Sequence, residues 1–529
     1  MRLPAFFFSL SAIAVGALWF WLGMPVAMPP SPLASGEKLY CVSYAPFRDM
    51  QTPLVASTRI EPWQIDEDLG RLADLTDCVR TYSTEHGLDQ VPEIARRHGL
   101  KVIQGLWLGG ESTKNQLRIA ETVALARQFP DVIRAIVVGN EVLLRGEMTP
   151  QALADSIRSV KAQAGLPVTY ADVWEFWLRN PLLYDVVDFV TIHILPYWED
   201  FPIPGKDAAS HVDAIRQQVG ARFPGKEILI GETGWPSAGR MREGALPSPA
   251  EQARVVQEVL AAAKRGQYRV NVIEAFDQPW KRLLEGTVGG HWGLFDAGTR
   301  ALKFRWGEAV SNHPLWRWQM AGGFLVAALV FVAAWRRTGD GPVVWAGIAT
   351  IAAAVGVTGP YAVANVPLES LGIDGWARSL AFAGLALAAP VAGAAALTRG
   401  VHVPAFAELL GRRDEPSVGG LASLLGWLLI GLSVLAVVAA LGLVFDPRYR
   451  DFPFAPLTAA TVPFLVLTLL VPRKAGRRGR AEAAIAAVLG MSAVYIAFNE
   501  SVANWQSLWT CANFALLMVI LWRVRDARS

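Results

Sequence analysis

The chain has 529 residues, more than one ordinary domain, which predicts two or more regions. Its 49 Lys and Arg nearly balance its 46 Asp and Glu, which argues against a nucleic-acid or acidic-polymer partner. Three cysteines exclude a dense disulfide framework. No Cys/His cluster has zinc spacing, and we expect neither a metal nor a cofactor.

An apolar run near the N-terminus, Ala5–Met24, is long enough to span a bilayer. It is either a signal anchor or a cleaved signal peptide. Because no convincing small-x-small cleavage site precedes Gly36, we favour a transmembrane anchor at residues 1–25. The proline-rich stretch that follows is typical of a linker, which we place at residues 26–38.

Eight short apolar runs come next, each followed by polar or helical sequence. They are Leu39–Tyr44, Cys78–Ser83, Leu100–Leu106, Ile133–Gly139, Pro167–Ala171, Val186–Ile194, Glu227–Gly231 and Val270–Phe276. Strands that alternate with helices over about 270 residues favour an α/β fold of the (β/α)8 TIM-barrel type, placed at residues 39–312. A doubly wound open sheet is the alternative that periodicity leaves open.

Two of these runs end in a carboxylate. One leads into Gly231-Glu232-Thr233-Gly234-Trp235-Pro236-Ser237, and the other ends in Gly139-Asn140-Glu141. Two glutamates at the mouth of a parallel barrel are what a retaining glycosidase needs, one to protonate the leaving oxygen and one to attack C1. An isolated strand-end glutamate is more often an ion-pair partner, but here both stand in longer motifs.

These two motifs resemble those of glycoside hydrolase family 17, the β-1,3-glucan-active enzymes, over roughly residues 39–305. The resemblance implies Glu141 as acid/base, Glu232 as nucleophile, and Asn140 as a hydrogen-bond donor to the sugar 2-hydroxyl. The membrane-spanning remainder lies outside the plant pattern and is similar to the bacterial, membrane-bound branch. Members of that branch include glucanosyltransferases.

The end of the eighth strand departs from the plant members in one position. Lys281 stands where they have a lysine, whereas Gln278 stands where they have a glutamate. The supporting carboxylate of the family is therefore open here, with Glu285 and Glu274 as candidates to replace it.

Further candidates for substrate binding lie at or after predicted strand ends. Tyr44, Arg80 and Tyr82 are candidates for the subsite at the cleavage point, and Asp172 is either a ligand of the sugar or loop charge. His193 either contacts substrate or is a buried core histidine. Because sugar faces are apolar, we also expect aromatic platforms, with core packing as the alternative for each: Trp174, Tyr197, Trp198, Trp235 and Trp280.

Cys41 and Cys78 open adjacent predicted strands. Neighbouring strands lie about 4.8 Å apart, within reach of a disulfide, and an oxidising compartment permits one. A bridge and a pair of buried thiols are both open at this point.

After Phe304 the sequence becomes predominantly apolar. Seven candidate spans are Trp316–Trp335, Pro342–Ala364, Ala377–Leu397, Leu421–Phe445, Phe454–Pro472, Ala481–Phe498 and Ser507–Trp522. With the N-terminal anchor they predict eight spans and an all-α polytopic membrane domain at residues 313–529. The spans carry no charged residue at mid-depth, unlike an ion-coupled transporter.

Basic residues cluster in alternate loops of this region. The clusters are Arg336-Arg337, Arg412-Arg413, Arg473 to Arg480, and Arg523 to Arg528. By the positive-inside rule both termini are cytoplasmic and the barrel faces outward. Together with the bacterial resemblance, this predicts a multi-pass inner-membrane protein with a periplasmic catalytic domain.

We therefore predict a retaining enzyme acting on β-1,3-glucan, with a glucosyl-enzyme intermediate on Glu232, and favour a glucanosyltransferase that remodels periplasmic glucan. The alternatives are an endo-β-1,3-glucanase, a glucan-binding or export membrane component, and an enzyme of the same clan acting on another β-glucan or mannan. The expected partners are the glucan, the lipid bilayer, and a glucan synthase or exporter.

Overall fold

The computed structural model describes residues 2–335, 341–410, 418–471 and 479–524. The chain divides into two compact units. The barrel unit comprises Val26–Ala238 and Gly244–Val310, and the helical unit comprises Met1–Pro25, Gly239–Glu243 and Ser311–Ser529. Most of the basic residues behind the predicted topology lie outside the described residues, namely Arg336, Arg337, Arg412, Arg413, Arg473, Lys474, Arg477, Arg478, Arg525 and Arg528.

The chain begins with helix α1 (Arg2–Gly23) of the helical unit. Eight parallel strands then form a closed barrel in chain order. They are β1 (Cys41–Ser43), β2 (Cys78–Arg80), β3 (Lys101–Leu106), β4 (Ile133–Asn140), β5 (Val168–Val173), β6 (Val190–His193), β7 (Ile228–Thr233) and β8 (Val270–Val272). The barrel closes because β1 pairs with β8, Cys41 opposite Asn271 and Val42 opposite Val272. The TIM-barrel prediction is confirmed and the open-sheet alternative is wrong.

The strands are short, aliphatic and buried almost throughout, as in β7, where every residue from Ile228 to Thr233 is buried. Strands of a parallel barrel are covered on both faces, by side chains in the barrel interior and by the surrounding helices. For this reason the sequence shows continuous apolar runs here instead of alternation. The carboxyl ends of all eight strands meet at one mouth.

The helices of the barrel unit alternate with the strands. They are α2 (Pro62–Leu72), α3 (Val91–Arg97), α4 (Ser112–Gln128), α5 (Pro150–Ala164), α6 (Trp174–Arg179), α7 (Gly205–Arg222), α8 (Pro249–Gly266) and α9 (Arg282–Gly289), with 3-10 turns at Glu85–Gln90, Pro181–Leu183 and Pro279–Lys281. Local sequence sets two of the starts. The side chains of Thr149 and Ser248 accept hydrogen bonds from the first-turn amides of α5 and α8, each followed by a proline at the first helical position.

Cys41 and Cys78 form a disulfide between the first residues of β1 and β2. Both cysteines are buried, in a small apolar cluster with Ile103 of β3, Val137 of β4 and Leu229 of β7. The sequence left open either a disulfide or two buried thiols, and the structure contains the disulfide. The bridge lies at the amino end of the strands, away from the mouth.

The helical unit contains α1 and the C-terminal helices. These are α10 (Trp316–Ala334), α11 (Pro342–Glu369), α12 (Gly372–Arg399), α13 (Phe406–Leu410), α14 (Gly420–Phe445), α15 (Phe454–Leu470), α16 (Arg480–Asn499) and α17 (Trp505–Arg523). Small residues allow close packing between α10 and α11, since a Cβ on Gly323 would lie 2.1 Å from the carbonyl oxygen of Gly356.

Among the described residues, seven helices are long and apolar enough to cross a membrane. They are α1, α10, α11, α12, α14, α16 and α17. The eighth predicted span corresponds to α15, which is apolar but has only 17 residues. The predicted spans therefore coincide with helices, and one of them is shorter than the length expected for a bilayer.

Candidate active site

Glu232 lies at the carboxyl end of β7, where the aliphatic run from Ile228 delivers it to the barrel mouth. Its side chain is only 8% exposed. Gly231 precedes it because a Cβ there would lie 2.4 Å from Cγ2 of Thr191 on β6. The motif thus places a carboxylate in a crowded position with little exposure to solvent.

Two side chains from β2 and the segment after it hold this carboxylate. Arg80 donates from Nη1 to Glu232 Oε1 at 3.1 Å, and the Tyr82 hydroxyl donates to the same oxygen at 2.8 Å. Arg80 is 1% exposed, and its guanidinium lies over the Tyr82 ring. The guanidinium and the hydroxyl donor thus fix the position of this buried carboxylate by two hydrogen bonds. Burial and the charge of Glu232 raise the pKa of Tyr82, so its hydroxyl stays protonated and donates.

Arg80 also orients Asn140. Its Nη2 donates to Asn140 Oδ1 at 2.6 Å, and its Nη1 donates to the carbonyl of Gly231 at 2.8 Å. Because the Asn140 oxygen accepts from Arg80, the amide nitrogen is directed away from the guanidinium. Arg80 therefore orients both Glu232, the candidate nucleophile, and Asn140, the residue that precedes Glu141.

Glu141 follows the last residue of β4 and has an unusual backbone conformation. Its φ is +53°, and Gly139 two residues earlier has φ +86°. A non-glycine residue with positive φ is uncommon and marks a position that the surroundings hold in place. The side chain of Glu141 is 25% exposed, more open than that of Glu232.

His193, at the end of β6, connects the two carboxylates. Its Nδ1 lies 2.8 Å from Glu141 Oε1, and its Nε2 lies 3.6 Å from Glu232 Oε1. Nε2 also lies 3.3 Å from Nη1 of Arg80, which can only donate, so Nδ1 carries the hydrogen that reaches Glu141. Sequence reasoning left His193 undecided between substrate contact and core, and missed this bridging position, because it depends on the spacing of three strands.

Ligating atoms of Glu141, His193 and Glu232 all lie within 4.8 Å of one another. This spacing would also suit a metal ion. However, the Arg80 guanidinium already contacts Glu232 and His193, and a second positive charge beside it would be repelled. The donor set fits a pair of carboxylates balanced by an arginine better than a metal centre.

An acid/base residue is expected to hold a proton, but the pKa of Glu141 is shifted in the opposite direction. Burial works to raise the pKa, but the hydrogen bond and charge of His193, with the charges of Lys281 and Arg145, bring it below its ordinary value. In the free protein Glu141 is therefore ionised over most of the pH range. Among the groups that lower the pKa, His193 has the largest effect, and the sequence did not predict its contact with Glu141.

Lys281 lies in the 3-10 turn after β8 and pairs with Glu274. Its Nζ donates to Glu274 Oε1 at 2.5 Å, and Glu285 adds further negative charge nearby. Burial raises the pKa of Glu274 to about 7, against the opposing charge of Lys281. Of the two carboxylates proposed to replace the missing glutamate, Glu274 makes this hydrogen bond. Gln278 is buried and donates to the carbonyls of Ala45 and Phe276.

The five aromatic candidates divide into two groups. Tyr197 and Trp235 are fully buried, and Trp235 donates from Nε1 to the carbonyl of Leu246 at 2.9 Å. Trp174, Trp198 and Trp280 are partly exposed at the mouth of the barrel. Only these three offer an accessible ring to a ligand, whereas the other two pack in the core.

Tyr44 and Asp172 also differ from the sequence expectation of a direct sugar contact. Both are completely buried. The Tyr44 hydroxyl donates to Asp68 Oδ2 at 3.2 Å, and Asp172 hydrogen-bonds with the Tyr170 hydroxyl. Burial raises the pKa of Asp172 to about 6, with the nearby charge of Glu141 adding to the shift. Their side chains are thus engaged within the protein.

Comparison with known proteins identifies relatives of the barrel. Residues 41–293 match the family described as BtgE/BtgC glycoside hydrolase domain. A glucan 1,3-beta-glucosidase of Saccharomyces cerevisiae is 27% identical over 257 residues, which cover 44% of this chain and 80% of that protein. A probable beta-glucosidase btgE of Aspergillus fumigatus is 30% identical over 225 residues, 41% of this chain and 39% of that protein.

Among solved structures, the glycoside hydrolase family 17 beta-1,3-glucanosyltransferase of Rhizomucor miehei superposes with a TM-score of 0.43 and 24% identity. The superposition covers 50% of this chain and 95% of that structure. The family resemblance predicted from the two strand-end motifs is confirmed. Residues 41–293 are thus similar to the BtgE/BtgC glycoside hydrolase domain, and the prediction of a glycoside hydrolase domain is confirmed.

Proposed function

We propose that the barrel cleaves β-1,3-glucan with retention of configuration, using Glu232 as nucleophile and Glu141 as acid/base. The observation that carries the proposal is the short separation of the two carboxylates, since one oxygen of Glu141 lies within 4.8 Å of one oxygen of Glu232. Retaining enzymes have carboxyl groups about 5–5.5 Å apart, whereas inverting enzymes need about 6.5–9.5 Å to admit a water molecule.

In the proposed reaction Glu232 attacks C1 of the sugar, and the leaving oxygen takes a proton from Glu141. Arg80 and Tyr82 hold the Glu232 carboxylate in position by hydrogen bonds to one of its oxygens. Asn140, with its oxygen bound to Arg80, presents its amide nitrogen to the sugar 2-hydroxyl. In the second half, Glu141 removes a proton from the acceptor that attacks the glucosyl-enzyme.

The acid role requires the pKa of Glu141 to rise when substrate binds. A bound glucan covers the exposed quarter of the Glu141 side chain and removes water from it, which disfavours the charged form. We infer that Glu141 takes up a proton on substrate binding.

The substrate assignment comes from the relatives. The yeast relative is named a glucan 1,3-beta-glucosidase, and its match extends over 80% of that protein. The accessible rings of Trp174, Trp198 and Trp280 suit the apolar faces of a glucan chain. Lys281, Glu274 and Glu285 add a charged hydrogen-bonding group at the end of β8.

We favour transfer to a second sugar over hydrolysis. The barrel sequence lies between apolar helices on both sides, which would keep the domain where exported glucan appears. The partly exposed tryptophans provide surfaces on which an acceptor sugar could stack and exclude water from the intermediate. An endo-β-1,3-glucanase is the alternative, because the same carboxylates serve both outcomes.

Product analysis of the purified full-length protein in detergent tests the choice. With millimolar β-1,3-gluco-oligosaccharides, transfer predicts products longer than the donor, and linkage analysis would identify the bond formed. Exclusively shorter products at every donor concentration would contradict the transferase assignment and leave the endo-glucanase. For retention, NMR should detect the β-anomer first, and an initial α-anomer would contradict Glu232 as nucleophile.

We further propose that the helical unit places the protein in a bacterial inner membrane with the barrel in the periplasm. Seven helices have the necessary length and composition. The orientation rests on the basic loops of the sequence. Reporter fusions at Pro32 and Ser311 should indicate the periplasm, and fusions at Arg477 and Ser529 the cytoplasm; a cytoplasmic signal at Ser311 would reverse the orientation. A glucan synthase or exporter would be the partner that supplies the chain.

A further inference from the structure

The segment after β4, residues 141–147, is a compact turn that begins at Glu141. Within it, the amide of Arg145 donates to the Glu141 carbonyl at 2.9 Å, and the amide of Glu147 donates to the Val142 carbonyl at 3.1 Å. As at the start of a helix, the first amides of such a turn have no acceptor inside it. Those amides belong to Leu143 and Leu144.

Two side chains of β5 supply the missing acceptors. The Leu143 amide donates to the Tyr170 hydroxyl oxygen at 3.0 Å, and the Leu144 amide donates to Asp172 Oδ2 at 3.4 Å. The Tyr170 hydroxyl in turn donates to Asp172 Oδ2. The second Asp172 oxygen accepts from the amide of Val173 at 2.8 Å. The pair therefore caps the turn in the way that a polar side chain caps a helix.

This cap is rigid because the core surrounds it. Tyr170 and Asp172 are both completely buried. The Tyr170 ring packs against Trp177 with centroids 5.8 Å apart, and Trp177 donates to the carbonyl of Thr191 at 2.8 Å. An unmet amide in such a place is costly, so the turn has one favourable position.

The cap matters for chemistry because the turn starts on Glu141. A residue with φ of +53° depends on its neighbours to hold that conformation. On the β5 side, the Glu141 amide donates to the Ala171 carbonyl at 2.8 Å, one residue from each member of the cap. We propose that Tyr170 and Asp172 are positioning residues, which hold the turn so that the Glu141 carboxylate lies where it can protonate the leaving group. This inference rests on the proposed role of Glu141.

The test compares the Tyr170→Phe and Glu141→Gln variants of the full-length protein in detergent. A misplaced acid slows cleavage of unactivated laminari-oligosaccharides, but not release of a good leaving group that needs no proton. Tyr170→Phe should lower kcat on laminaripentaose about tenfold to a hundredfold. The dinitrophenol burst from a 2,4-dinitrophenyl β-laminaribioside should stay within about threefold of wild type.

The matched control is Tyr184→Phe, which removes another tyrosine hydroxyl hydrogen bond, to the carbonyl of Pro224. It should leave both substrates unaffected. If Tyr170→Phe does not fold, Asp172→Asn carries the same prediction. Its amide has one oxygen in place of two, so either the Val173 amide or the Tyr170 hydroxyl loses its acceptor, and a several-fold loss confined to laminaripentaose is expected.

The outcomes separate the inference from the proposed function. If Glu141→Gln shows the selective loss and the two cap variants lose activity equally on both substrates, or not at all, the positioning inference is wrong and the acid/base assignment stands. If Glu141→Gln itself shows no selective loss, the assignment of Glu141 fails first. Selective loss in all three variants supports both.

Discussion

Glu232 and Glu141 stand at the ends of strands of the same barrel, yet their surroundings differ. Glu232 is 8% exposed and receives hydrogen bonds from Arg80 and Tyr82. Glu141 is 25% exposed, has a left-handed backbone, and contacts one ring nitrogen of His193. The first environment fixes the position of the carboxylate by two hydrogen bonds. The second leaves the carboxylate accessible to a bound substrate, and this difference suits the separate roles of nucleophile and acid/base that we propose for the two glutamates.

Glu232→Gln should have the largest effect, because it replaces the carboxylate that we propose as the nucleophile. We expect activity on laminari-oligosaccharides to fall by a factor on the order of 10⁴ or more, with the folded state retained. Glu227→Gln, immediately before the same strand, is the control, since Glu227 is half exposed and pairs with Arg269 at 3.5 Å. Turnover near the wild-type rate in Glu232→Gln would show that Glu232 is not the nucleophile.

Arg80→Lys tests whether the buried arginine holds the Glu232 carboxylate in its orientation. A lysine offers one ammonium and cannot donate in a fixed fork to Glu232, Asn140 and the Gly231 carbonyl together. We expect kcat/KM to fall about 10²- to 10³-fold, the usual effect of losing one oriented donor. Arg96→Lys on the exposed surface serves as control. A loss below about threefold would show that the buried arginine is not needed to orient the pair.

His193→Ala tests the Glu141 side. The hydrogen bond from His193 stabilises the ionised form of Glu141 and lowers its pKa, so its removal should raise that pKa. Because the acid must be protonated, activity falls as pH rises through the pKa of Glu141. The basic limb of the kcat/KM profile on unactivated glucan should therefore move to higher pH in the variant. A limb that stays in place or moves to lower pH would contradict this account of His193.

Cys41→Ser should have the smallest effect on activity, because the disulfide lies at the end of the strands opposite the two carboxylates. The loss of a native bridge typically costs about 2–4 kcal/mol of stability. We expect a thermal midpoint lower by several degrees and kcat/KM within twofold of wild type. Reduction of the wild-type protein should reproduce the change in stability. A selective loss on unactivated substrate would show that the bridge also positions Glu141.

The amino-acid sequence by itself determined the barrel, the position of the two glutamates at strand ends and the approximate limits of the C-terminal apolar helices. Parallel strands that are covered on both faces appear in a sequence as continuous aliphatic runs, separated from one another by polar residues. Such runs can be recognised without knowing which residues are in contact. The Gly139-Asn140-Glu141 and Glu232-Thr233-Gly234 stretches identify their strand ends in the same way. Apolar length alone predicted where the C-terminal helices lie.

Only the tertiary structure decided how the site is assembled. His193 reaches both carboxylates, Arg80 spans Glu232 and Asn140, and Glu274 pairs with Lys281. Each of these contacts joins residues from different strands or turns, and their distances depend on how the closed barrel brings the strand ends together. Asp172 is another residue whose contacts could not be predicted from the sequence. Whether a carboxylate at a strand end faces the ligand or a neighbouring side chain depends on tertiary packing, and Asp172 faces Tyr170.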